Sequence, residues 1–167
     1  MSVSRLIARP LLAAGFIYGA QSALRNSEAL APKASPVADA VVPVVRKAGI
    51  PLTNDPASLV KINAAVQITG GLALATGKAP RLGALLLAGS MVPTTISGHP
   101  FWSEKDPVAK KTMQMHFFKN LSMLGGAIIA AGDTDGKPGL AWRTRRAAKD
   151  ASRETRRATK MATRRIS

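Results

Sequence analysis

Four stretches of about twenty mostly apolar residues, parted by segments that hold most of the charge, limit this chain to helical solutions. They run at about 6–24, 56–76, 80–98 and 113–132. The first is interrupted by Arg9 and Gln21, and the second carries Lys61, Asn63 and Gln67. The third has no charged residue between Leu82 and Ser97, and the fourth holds His116, Lys119 and Asn120 in its first turns. Each is long enough to cross a hydrocarbon core of roughly 30 Å, and the Gly and Pro inside them are tolerated better in membrane helices than elsewhere. No stretch alternates with period two for long, and aromatic residues are only 4%, so strands are disfavoured. The expectation is an all-α integral membrane bundle of four transmembrane helices with a basic C-terminal extension. A soluble helical bundle is the competing reading, because the second and fourth stretches are amphipathic. A second rival makes residues 1–23 a cleaved signal peptide, with Arg5 and Arg9 as its basic region.

Charge divides the chain in two, a transmembrane part at 1–136 and a tail at 137–167. The tail holds 11 Lys/Arg against 2 Asp/Glu, and the whole chain has a net charge of +15. With four spans both ends lie on one side, and the Lys/Arg excess puts that side in the cytoplasm of a bacterial inner membrane. The first outer connection, 25–55, is rich in proline, and its segment SPVADAVVPVVRKAGIP reads as a short amphipathic helix at the interface. Phe101 and Trp102 in the second are placed to anchor at headgroup level. In the tail, Arg143, Arg145, Arg146 and Lys149 are the expected contacts to anionic lipid, at about 1 kcal/mol per basic residue near the surface. The plainer alternative is a solvated extension. Nucleic acid is a poor partner, since no aromatic residue follows Trp142 to stack on bases.

Polar groups inside apolar helices are the candidates for chemistry. Asn63 and Gln67 are four apart and share a face; His116, Lys119 and Asn120 form one stripe. Lys61, Asn63, His99, His116, Lys119 and Asn120 all fall in the outer half of the expected membrane and form a candidate site for the carbonyl oxygens of a quinone, or for an anion. A histidine there could exchange a proton. The plainer reading has Lys61 and Lys119 snorkelling to the surface and the amides, Gln67 included, bonding helix to helix. Gly15 and Gly19, Gly70 and Gly71, and Gly125 and Gly126 are the expected close-packing positions, within one chain or in a homo-oligomer. With no cysteine and only two histidines, neither thiol chemistry nor a metal centre is expected. No Ser/His/Asp set, phosphate loop or paired carboxylate marks a self-contained enzyme.

Three segments resemble the DoxX family of small four-helix bacterial membrane proteins: RLIARPLLAAGFIYGAQSAL, ITGGLALATGKAPRLGALLLAG and HFFKNLSMLGGAIIAAGD. The resemblance covers roughly residues 5–132, and its most telling parts are GGLxLxxGxxxRxGA from Gly70 to Ala84 and HFFKNLSMLGG from His116 to Gly126. The basic tail and the Arg/Ala richness resemble those of high-GC actinobacteria, mycobacteria among them. The resemblance implies membrane redox work. The family takes its name from a subunit linked to a terminal quinol oxidase and thiosulfate oxidation, and mycobacterial relatives are implicated in an oxidative-stress complex with a superoxide dismutase and a sulfurtransferase-like protein. Lys119 and Asn120 match a polar pair that relatives show on the fourth helix. Gln67 stands where many relatives have Glu, and an amide cannot relay a proton. The expectation is a non-catalytic membrane subunit or scaffold of a redox or oxidative-stress complex, with protein partners and no cofactor of its own. Its rival is a redox subunit that binds quinone directly.

Overall fold

The computed structural model describes residues 2–134, 136, 139, 142 and 144–154. The chain divides into two units, Met1–Gly132 and Asp133–Ser167. The first holds five α-helices: α1 Val3–Arg25, α2 Ser27–Lys47, α3 Pro56–Thr76, α4 Pro80–Gly98 and α5 Pro107–Gly132. In the second, residues 144–154 are helical.

Local chemistry sets the helix ends. Pro56, Pro80 and Pro107 each open a helix, where the missing N–H costs nothing because the first turn has no intrahelical acceptor. The Asp55 carboxylate accepts from the Ser58 backbone N–H at 2.9 Å, and Asp106 accepts from Ala109 N–H at 2.7 Å, so both turns are capped. The bonds from Ser58 hold the Asp55 carboxyl below its ordinary range. Gly77 stops α3 in the left-handed region at φ +69°, and a tight turn returns the chain into α4.

α3 packs between α1 and α4, α4 packs on α5, and α2 lies against α3 and α4. The core joins Ala13 and Phe16 of α1, Leu74 of α3, Ala84, Leu87 and Met91 of α4, and Ala127 of α5. Most of these side chains are small, so the backbones approach closely. A Cβ on Gly83 would sit 2.5 Å from the Gly70 carbonyl oxygen and 2.9 Å from the Leu74 nitrogen. Of the expected packing glycines, Gly70, Gly71, Gly15 and Gly126 face neighbours within 3.2 Å of such a Cβ, whereas Gly19 and Gly125 face none within 4 Å.

Two sequence expectations are corrected here. The first outer connection is not a loop with a short interfacial helix; it is α2, 21 residues long. Three prolines lie inside it, Pro32, Pro36 and Pro43, and each withholds the N–H that would bond the carbonyl four residues back. At 3.6 residues per turn all three fall on one side of the helix, and all three are exposed. The carbonyls they deprive, on Glu28, Pro32 and Asp39, belong to exposed residues of that same side. The packed side keeps its ladder.

The four-span transmembrane bundle is the second correction. Among the described residues one helix, α3, is both long and apolar enough to cross a membrane. The multi-pass inner-membrane placement with both termini in the cytoplasm falls with it, because a Lys/Arg bias between segments orients a chain only when the segments span. The helices of the other three expected spans fall short for reasons visible in their residues. α4 interleaves its leucines with Gly, Ser, Thr and Pro; α1 carries Arg5, Arg9 and Gln21; α5 carries Lys110, Lys111, Gln114, Lys119 and Asn120. What the structure shows is an all-α body of five helices, in which α1 contributes Ala13, Phe16 and Ala20 to the buried interior.

Arg81, the arginine of the GGLxLxxGxxxRxGA segment, has a structural task. Its Nε donates to the Ala131 carbonyl at 3.1 Å, in the last turn of α5, where carbonyls lack intrahelical partners and the helix dipole favours a cation. Arg81→Ala is expected to lower stability by about 1–2 kcal/mol. Chemical denaturation of Arg81→Ala beside Arg81→Lys checks this, and an unchanged midpoint for the alanine variant refutes it.

Candidate ligand cavity

Below the level of Gly70 the helices close tightly; above it they part around a cavity of about 500 Å³. This is the size that encloses one small organic ligand. All five helices line it. α2 supplies a stripe at helical spacing, Leu30, Ala34, Val37, Ala38, Val41 and Val42, which makes one wall apolar. α1 adds Gly15, Phe16 and Gly19, and α5 adds Lys119, Asn120 and Met123.

The polar lining is organised around Thr94 on α4. Its hydroxyl donates to the Ser90 carbonyl at 2.8 Å and accepts from Asn63 Nδ2 at 2.8 Å and Gln67 Nε2 at 3.3 Å. A helical threonine that bonds back to its own helix leaves its oxygen as an acceptor, and two amides from α3 use it. Among the described residues each amide makes that bond alone, so its second N–H and its carbonyl are available to a ligand. Gln67 and Asn120 are buried.

His99 follows the C-terminal end of α4 and lines the same cavity. Its ring stacks on His116 of α5 with centroids 5.2 Å apart and planes 22° from parallel. Burial of the imidazole, with the His116 ring and the Lys119 and Lys33 ammonium groups nearby, holds His99 below the usual histidine range. Both effects favour the neutral imidazole. The groups around it are His116 and Lys119 on α5, Lys33 on α2 and the neutral Asn63 and Gln67 on α3; among the described residues no Asp or Glu lines the cavity.

A depressed histidine sets the sign of a pH dependence. Well above pH 6.5 neither state binds the proton; as the pH falls through the ordinary histidine value toward the folded one, the unfolded chain takes a proton that the folded one refuses. Stability is thus expected to fall through that window and to level off below the folded pKa. Thermal melts between pH 5 and 8 read this as a difference curve between the wild type and His99→Gln, and parallel curves refute it.

The expected site residues divide clearly. Asn63, His99, Lys119, Asn120 and Gln67 line one cavity, together with Gly15 and Gly19. His116 stands behind His99, outside the lining. Lys61 points elsewhere: its ammonium pairs with Glu28 of α2 at 3.4 Å, so it neither snorkels alone nor reaches the cavity. Sequence reasoning missed Lys33 and Thr94. The period of the α2 stripe held the signal for Lys33, and the prolines masked it. Phe101, Trp102, Phe117 and Phe118 form a chain of edge-on ring contacts beside the histidines.

In the second unit, Arg145, Arg146 and Lys149 lie on the helical segment 144–154, while Arg143 falls outside the described residues. Arg146 lies 5.0 Å from the Trp142 ring centroid and 3.8 Å from Asp150, which Arg153 also approaches at 4.0 Å. Among the described residues no group of three His, Cys, Asp or Glu could hold a metal ion.

Comparison with curated proteins and with solved structures finds no match for this chain. Residues 4–100, from the start of α1 through α4 and His99, match DoxX. That stretch exceeds half of the 167 residues and includes Asn63, Gln67, Thr94 and the Gly70–Gly83 contact, so the chain belongs to the DoxX family.

Proposed function

We propose that this DoxX-family protein is a non-catalytic subunit of a membrane-associated redox or oxidative-stress assembly, and that its five-helix body holds a small ligand with an apolar part. Family membership supports the membrane association. Large apolar side chains standing exposed on α1, α4 and α5, among them Leu11, Leu82, Leu85 and Ile129, support it too. The observation that carries the ligand is the cavity of about 500 Å³, apolar on one wall and furnished with amides, an imidazole and an ammonium on the others. The lining offers hydrogen bonds and positive charge but no nucleophile paired with a base, which suits holding better than conversion.

A second reading makes the chain a direct quinone-binding redox subunit. The convergence of Asn63, His99, Lys119 and Asn120 favours it, because quinone carbonyls accept from such donors. Gentle detergent extraction followed by mass spectrometry of the co-purifying proteins and lipophilic molecules separates the two. Stoichiometric protein partners without quinone support the subunit; a bare chain carrying quinone supports direct redox work; neither partner nor small molecule overturns both.

For the tail we infer adhesion to anionic lipid. The support is its density of Lys/Arg, 11 in residues 137–167, with Arg145 and Lys149 outside the Asp150 ion pairs. Truncation after Gly139 is expected to weaken binding to phosphatidylglycerol vesicles by at least tenfold at low salt, since several basic residues at about 1 kcal/mol each are lost. Co-sedimentation measures this, and equal binding of both chains refutes it.

A further inference from the structure

The charge around the cavity is one-sided in a way that its shape does not require. Lys33 reaches the lining from α2 and Lys119 from α5, while His99 closes the end of α4, so three separate elements bring nitrogen groups to one region. Among the described residues no Asp or Glu belongs to the lining. Of the two acids on α2, Glu28 is engaged by Lys61 and Asp39 is not among the lining residues. Among the described residues neither Lys33 nor Lys119 has an ion-pair partner. Both lysines are exposed, whereas Ala38 and Val42 of the α2 stripe are buried, as are Phe16 and Met91, so the charged groups lie toward solvent and the apolar lining runs inward. Both ammonium groups act electrostatically on His99, which places two like charges at one end of the cavity, and an anionic group bound there would relieve their repulsion.

Resting on the ligand-holding reading above, we propose that the cavity binds a single-chain anionic amphiphile, its acyl chain along the α2 stripe and its anionic head between Lys33 and Lys119. The volume is the size class for one such chain. The second N–H groups of Asn63 and Gln67, both amides held by Thr94, then offer hydrogen bonds to polar groups next to the head from the α3 side. His99, held neutral, donates one N–H without adding a third fixed charge. The head chemistry, an anionic oxygen group on one chain, is common to a free long-chain carboxylate and a lysophospholipid.

The test uses the full chain in nonionic detergent with cis-parinarate, a fluorescent long-chain carboxylate, as the reporter. Competitors are palmitate, its uncharged ester methyl palmitate, palmitoyl-lysophosphatidylglycerol and decylubiquinone. The proposal expects an anionic competitor to displace the reporter about tenfold better than methyl palmitate, as one charge-assisted contact does. Which anion leads tells the free acid from the lipid headgroup. It expects Lys33→Met and Lys119→Met each to remove most of that preference, and Lys119→Arg to keep it. Detergent partitioning is common to all variants and cancels in the comparison, and circular dichroism confirms that each variant folds. If methyl palmitate or decylubiquinone competes as well as palmitate, the anion assignment is overturned while the ligand-holding reading stands. If no reporter binds saturably, both fall.

Discussion

Replacing Gly83 by alanine is expected to cost about 3 kcal/mol of stability, the largest loss from any single methyl group in this chain. The added Cβ would lie 2.5 Å from the Gly70 carbonyl oxygen and 2.9 Å from the Leu74 nitrogen, and both are backbone atoms. A side chain could swing away; a helix cannot. α3 and α4 must move apart, and the contacts of the fully buried Leu74 and Leu87 loosen with them. Against a total stability of roughly 5–15 kcal/mol, this lowers the melting temperature by about 10 °C. Gly89→Ala is the control on the same helix, because nothing lies within 4 Å of its Cβ position. Alanine there is expected to be neutral or to stabilise by up to about 1 kcal/mol through helix propensity. Equal melting temperatures for the two variants would remove the α3–α4 contact from its central place in the fold.

The second large effect is expected at Thr94. Thr94→Val keeps the shape and removes the oxygen that accepts from both Asn63 and Gln67. Gln67 is buried, so its amide loses a partner where water is scarce, and the expected cost is about 2 kcal/mol. Thr94→Ser keeps the acceptor and is expected to recover most of the loss. The same pair of variants reads the cavity, since valine frees both amides to shift and serine holds them. Ligand affinity is therefore expected to fall with valine and to persist with serine. A valine variant as stable as the wild type would mean that the amides find other partners.

Much of the helical layout is legible along the chain, because helix boundaries are local chemistry. Asp55–Pro56, Asp106–Pro107 and Gly77 mark their ends without reference to any distant residue. α2 is the exception that shows the limit of local reasoning. Three prolines in twelve residues argue against a helix one residue at a time, yet at 3.6 residues per turn they share the exposed side, where the lost ladder bonds matter least. The same apolar content that marks a helix also misled about its surroundings. A charge-free run of leucines and small polar residues in α4 reads as a span, while its buried side is spent on Gly70 and Leu74.

Within the candidate site, spacing groups residues on one helix but cannot join two. Lys61 and Asn63 are near neighbours in sequence, yet two residues turn an α-helix by about 200°. One side chain therefore meets Glu28 on α2 and the other Thr94 on α4. Lys33 and Lys119 are 86 positions apart, and nothing in their local sequence relates them. Helix type, helix ends and the polar faces follow from short-range backbone and side-chain preferences, so the order of residues decides them. Which faces meet, how close Gly70 and Gly83 come, and which charges share one cavity are fixed by packing between segments distant in sequence. Those depend on the summed fit of whole helix surfaces, and no single spacing encodes that sum.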